Sequence, residues 1–275
     1  MPERIDRRDL SSVLSGHAGA TDLRATLEAA SEPGGLLMVL GRYIQFNSAF
    51  GPGLANLAGE IAARQGSFRD PEEPVRLAQD RAAEVAADFF HAAVDEFDDR
   101  ATACRDTHRT LAQATLKGMG AHFGFAPAEL NEVIRVNAAT EEAMRQVSEG
   151  YGLGASLDDE RLFRAMGFHA GSEVLADEEF TVIDRVLRDR RPELVTALRG
   201  MKVEILGGRH DAYYWIHIHT SVEADHFEAA LAGVNKALRF YAGPTPPASV
   251  KGWILDGFRG FARVQAHFMA HLGEP

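Results

Sequence analysis

His217 to His226 reads HIHTSVEADH and puts three histidines and two carboxylates into ten residues. On an α-helix, positions i, i+4 and i+7 return to one face, so His219, Glu223 and His226 form one stripe. His217 and Asp225 turn away from it. Tyr213, Tyr214, Trp215, Ile216, Val222 and Phe227 make the same segment apolar around much of its circumference, which marks a buried helix. Two imidazoles and a carboxylate in that setting need partners, because burying them unpaired is costly. Hydrogen bonds among themselves and to neighbouring helices would satisfy them. A metal ion would do so while using all three side chains on one face.

Outward from this helix, almost everything else also reads as helix. Capping residues, prolines and apolar periodicity predict helices over about 21–30, 36–50, 54–64, 75–97, 107–123, 127–148, 156–190, 192–200, 211–241 and 250–272. Breaks are expected at 32–35, at Gly51-Pro52-Gly53, at Asp98-Asp99-Arg100 and near Asn137. The acidic, proline-rich link Asp70-Pro71-Glu72-Glu73-Pro74 reads as a helix start. Only Lys202 to Leu206 alternates like a strand, and it is too short to support a sheet alone. There is no internal repeat. One all-α domain over 1–275, of about eight to ten helices, is the simplest organisation, with 1–20 expected to be flexible.

The bulk numbers bound the partners. The 275 residues are 45% apolar, enough for a sizeable core, and the net charge is -11. An acidic chain argues against nucleic acid and anionic membrane as main partners. Cys104 is the single cysteine and cannot form an internal disulfide, which fits a reducing compartment. MPERIDRRDLSSVLSGH lacks the apolar core of a secretion signal, and no run approaches the roughly 20 apolar residues of a membrane span. A cytoplasmic location is the expectation.

Several metal classes are excluded by pattern. There is no HExxH, and one cysteine rules out thiolate zinc and iron–sulfur sites. A ferritin-like site would show two Glu-x-x-His motifs, and only Glu223 to His226 fits. A His-x3-Glu-x2-His helix near the end of an all-α chain of this size resembles the heme-oxygenase-like diiron oxidases and oxygenases, often called iron-containing redox enzymes. The resemblance covers roughly 36–245. It implies a heme-oxygenase-like helical bundle whose three core helices hold two irons per chain, Fe(II) or Fe(III), with three histidines and three carboxylates. The third contribution is the quoted motif, and the second, a lone glutamate, matches Glu173 in Phe168-His-Ala-Gly-Ser-Glu173. His169, one turn earlier, is a partner of Glu173 or else a packing histidine. Two pairs compete for the first contribution. Glu96 with His108 works only if the chain breaks between them, since twelve residues of unbroken helix span about 18 Å. Glu84 with His91 shares one stripe, although Asp88 and Asp95 on that stripe also suit a solvated face.

By the same resemblance, O2 would be the cosubstrate and a small metabolite, an amino acid or related amine or carboxylate, the substrate. N-oxygenation and oxidative C–C or C–H cleavage both fit, as in specialised metabolism, with an external electron donor and a homodimer as compatible partners. Metal-free relatives, a thiaminase-II-like hydrolase or a cofactor-synthesis oxidase, share the architecture; a non-catalytic small-molecule or heme-binding protein is the remaining class. For the substrate pocket the candidates are Arg164, Tyr213 and Tyr214, where an arginine would hold a carboxylate bidentately. Tyr43, Gln45 and Asn47 add polarity to an early apolar helix. His267 and His271 read as residues of an amphipathic face.

Overall fold

Side-chain caps and prolines start most helices. The computed structural model describes residues 3–64, 66–75, 77, 80–99, 102 and 105–274; the side chains of residues 80 and 221–224 lie outside that description. In chain order the helices are α1 (Arg7–Val13), α2 (Gly19–Ala29), α3 (Pro33–Asn47), α4 (Phe50–Ala62), α5 (Asp80–Phe97), α6 (His108–Phe123), α7 (Pro127–Val133), α8 (Ala138–Gly150), α9 (Asp159–Arg190) and α10 (Pro192–Arg199). A hairpin, β1 (Lys202–Ile205) with β2 (Gly208–Asp211), then precedes α11 (Tyr214–Phe240) and α12 (Pro247–His271). Thr107, Asn137 and Asp158 each accept a backbone N–H three residues on, which caps α6, α8 and α9. Proline occupies the first helical position of α3, α7, α10 and α12, where its missing N–H costs nothing.

Three local expectations are corrected. Gly51-Pro52-Gly53 is no break but the first turn of α4, where a proline needs no intrahelical donor. The acidic link does not start a helix. Asp70 accepts from Glu72 N at 3.1 Å and Glu73 from Val75 N at 2.9 Å, so these carboxylates close local turns and α5 begins only at Asp80. The strand-like run does find a partner: β1 pairs antiparallel with β2, Val203 opposite His210, across Leu206-Gly207. Both turn residues have positive φ, 53° and 78°, as a two-residue hairpin turn requires.

The long helix α9 forms the middle of the bundle, packed along α12 on one side and α11 on the other, while α5 lies on α4 and α11 and α6 on α11. Where α9 crosses α12 a glycine stands on each: a Cβ on Gly167 would lie 1.8 Å from the Ile254 carbonyl oxygen, and one on Gly257 1.8 Å from that of Arg164. The N-terminal segment packs onto the bundle from Arg4 onward. Ile5 is buried and exchanges two backbone hydrogen bonds with the Asn235 amide, 2.9 and 3.0 Å. Lys251 holds the Arg4 carbonyl and pairs with Asp9. Among the described residues, no helix is long and apolar enough to cross a membrane.

Candidate metal centre

α5, α6, α9 and α11 converge on one group of buried polar side chains. Glu96 lies in the last turn of α5 and His108 opens α6, a separate helix, so residues twelve apart come face to face: His108 Nδ1 lies 3.3 Å from Glu96 Oε1. The His219 ring from α11 stands 4.5 Å from that of His108, centroid to centroid. Glu96, His108 and His219 each offer a donor atom within 4.8 Å of the others. On the α9 side, Glu173 Oε2 lies 3.6 Å from His226 Nδ1. Glu96, Glu173, His219 and His226 together line a cavity of about 40 Å³. Four helices therefore supply these side chains, because the first Glu/His pair is split between two. The side chain of Glu223 lies outside the described residues.

His219 and His226 are each held by an acceptor on one nitrogen and present the other to the group, while His108 stands between two carboxylates. His219 Nδ1–H donates to the Trp215 carbonyl at 2.6 Å, which leaves Nε2 as the lone-pair nitrogen. Phe180 stacks on its ring at 4.1 Å. Burial, with the charge of His108 beside it, holds His219 well below its ordinary value, so it is neutral. His226 Nε2 is 3.0 Å from Asp95 Oδ2, and its Nδ1 faces Glu173. The hydrogen bond from His226 holds the Asp95 carboxyl below its usual range. His108 has Asp99 3.7 Å from Nε2 and Glu96 at Nδ1. Burial alone would lower it, but Glu96 and Asp99 together raise it to about 10. Glu173 is held in turn: His169 Nδ1 is 3.2 Å from Oε1, and the Tyr151 hydroxyl lies 3.2 Å from the same nitrogen. His169 is fully buried and desolvation lowers it, so it orients Glu173 as a neutral ring.

Imidazole and carboxylate oxygen are donors that suit first-row divalent metals, iron among them. Acceptors on the outer nitrogens are what metal-ligating histidines ordinarily show. Gly51 stands against the same group: a Cβ there would lie 3.3 Å from Glu96 Oε2, a tight contact. The residues present fit a metal.

No family model and no curated protein sequence matches the chain. Solved structures do match along nearly the whole length. A CADD-like protein of unknown function from Nostoc punctiforme superposes with a TM-score of 0.63 at 15% identity, over 97% of this chain and 95% of that one. A TenA homologue from Pseudomonas syringae pv. tomato gives a TM-score of 0.57 at 11% identity, over 98% of each chain. The fold is the all-α heme-oxygenase-like bundle.

The remaining candidates fall elsewhere. Glu84 is exposed and lies 3.9 Å from Lys236, away from the group. His91 is also exposed, and reaches only the edge of the His226 ring at 5.7 Å. Arg164 is not at the site. It pairs with Glu160 and Asp256 at 2.9 and 3.1 Å and lines a separate groove of about 860 Å³ between α8, α9 and α12. Tyr213 is buried with its hydroxyl on Asp184 at 2.8 Å, and burial with that carboxylate pushes its phenol up. Tyr214 comes nearer, its phenol pushed up to about 12 by burial and by Asp99. The rings of His267 and His271 lie against each other on α12, tilted, 4.3 Å between centroids. Cys104 lies outside the described residues.

Sequence reasoning missed four contributors. Asp95 and Asp99 looked like a solvated stripe and a turn, yet each faces a histidine of the group; their only signal was spacing around Glu96. Glu179, fully buried, lines the same cavity, accepts from Tyr43 at 2.5 Å and from Gln265, and burial pushes it up to about 7. Arg109, next to His108, lines a second cavity of about 300 Å³ that shares Asn47, Glu96 and His219 with the first.

Proposed function

We propose that this chain is a nonheme diiron enzyme that uses O2 to oxidise a small metabolite. The observation that carries the reading is the arrangement of the three histidines: His219 and His226 each have an acceptor on one nitrogen and turn the other toward the group, and His108 turns Nδ1 to Glu96. Glu96, His108 and His219 would hold one ion, and Glu173 with His226 a second; the motif adds Glu223 to the same stripe. Iron bound there would supply O2 activation, chemistry that no side chain performs. The chain's own residues do the rest. Trp215, Asp95 and Asp99 fix the ring orientations, and His169 with Tyr151 holds Glu173. Phe50, Leu54, Phe180 and Phe261 make an apolar wall around the small cavity and limit water there. The larger cavity, reaching Glu96, His108 and His219, gives a substrate access to the same group. Cavities of about 40 and 300 Å³ suit ions and a small molecule better than a tetrapyrrole.

Anaerobic loading with Fe(II), removal of excess and metal analysis test this directly. Two irons per chain are expected, with His219→Ala and His226→Ala each retaining fewer, and O2 consumption by the loaded protein is expected to rise with an accepted amine or carboxylate. A chain that retains no iron, or retains it equally in both alanine variants, refutes the reading.

A further inference from the structure

We infer that Arg109 anchors a carboxylate of the substrate, and that the cavity beside it takes a small molecule with one anionic end and an apolar body. The inference rests on the proposed function for where the reacting end lies, and on separate observations for the anchor. Arg109 stands in the first turn of α6, one residue after His108, and lines the 300 Å³ cavity. Its guanidinium is held by two neutral acceptors, the Ile44 carbonyl at 3.4 Å and the Gln45 side-chain oxygen at 3.1 Å, both on α3. No carboxylate lies within ion-pair distance of it among the described residues. Arg164, by contrast, is neutralised by Glu160 and Asp256. A planar fork of donors with its charge uncompensated, at the mouth of a cavity, matches a carboxylate better than any neutral group.

The rest of the wall sets the body of the ligand. Ile44, Pro52, Phe97, Ala112 and Trp215 are apolar, and Glu96, His108 and His219 line the same cavity. A ligand held by its carboxylate on Arg109 would lay its chain against Trp215 and Phe97 and point its other end at the three donors. The positive end of α6 adds to the preference for an anion. The cavity size is that of a small-molecule site.

Trp215 reports on this cavity, and the chain has two tryptophans, so a Trp253→Phe background isolates its fluorescence. Titrations with straight-chain C4–C8 carboxylates, their methyl esters, the L-α-amino acids and inorganic phosphate should be run on the apo and on the anaerobic Fe(II)-loaded protein. At least one carboxylate should saturate and bind about 10-fold or more tighter than its ester. Arg109→Gln should erase that difference, Arg109→Lys should keep part of it, and both should retain iron like the parent, since Arg109 is exposed and not among the metal donors. Absence of saturable carboxylate binding, discrimination that survives in Arg109→Gln, or phosphate binding as tight as any carboxylate each overturns the inference. Carboxylate discrimination in a chain that holds no iron would leave this inference standing and remove the diiron reading; iron without discrimination would do the reverse.

Discussion

Glu179 is the side chain whose ionisation the fold opposes most openly. Its carboxyl is buried among Tyr43 from α3, Gln265 from α12 and its own helix, with the Glu178 charge as neighbour, and burial outweighs the two hydrogen bonds it accepts. A carboxyl raised from 4.5 to about 7 keeps its proton in the folded state over a range where the unfolded chain has lost it. Its contribution is therefore fully present below pH 4.5 and is lost as pH rises through 7. The gap corresponds to about 3 kcal/mol. Glu179→Gln keeps the shape and an acceptor for Tyr43 but cannot ionise. Urea denaturation at intervals from pH 4.5 to 8.5 should show the wild type losing stability relative to this variant by about that amount. Parallel curves across the interval would mean that Glu179 does not titrate there.

At the scale of elements, the crossing of α9 and α12 positions Glu173, which sits six residues beyond Gly167. Alanine is ordinarily the better helix former by about 1 kcal/mol. At Gly167 or Gly257 its methyl would overlap a backbone carbonyl oxygen at 1.8 Å, and no rotamer relieves a Cβ. The helices must separate, at a cost of roughly 2–3 kcal/mol net of propensity. Thermal unfolding of Gly167→Ala and Gly257→Ala should fall by about 4–12 °C. Gly260→Ala, on the same α12 but with its nearest neighbour an ordinary 3.7 Å away, should stay near the wild type. Equal effects at all three positions would remove the close-crossing explanation. This crossing was illegible in the sequence, where nothing marks which helix would stand against Gly167 or Gly257. What could be read were events that one element decides alone: the apolar periods of the long helices, the prolines that open α7 and α10, and the His219/His226 stripe. The break that lets Glu96 meet His108 was legible too, as acidic turn residues between two apolar periods. The late start of α5 was not, because Asp70 and Glu73 satisfy local backbone N–H groups that a helix would otherwise use. Nor were the roles of Asp95, Asp99 and Arg109, whose meaning depends on which helix stands opposite.

For the molecule as a whole, the site couples charge to stability. The chain carries a net charge of -11, and Asp95, Glu96, Asp99 and Glu173 add carboxylates at one internal place where four helices meet. His108 is driven to carry a compensating proton, whereas His169 and His219 are lowered and neutral. A divalent cation bound between α5, α6, α9 and α11 would offset that repulsion and join four elements, and the unfolded chain has no such site. Binding to the folded state alone stabilises by about 2.7 kcal/mol when free metal is 100 times its dissociation constant. For a chain of this length that corresponds to roughly 5–11 °C in the unfolding midpoint. Anaerobic Fe(II) should produce such a rise while the same concentration of Mg(II), which binds poorly to imidazole, should not. His219→Ala and His226→Ala should each lose most of the shift. His267→Ala and His271→Ala remove imidazoles from an exposed and a half-buried position on α12 outside the group, so they should keep it. A shift that follows the α12 pair, or that Mg(II) reproduces, would assign the stabilisation to surface charge and not to this centre.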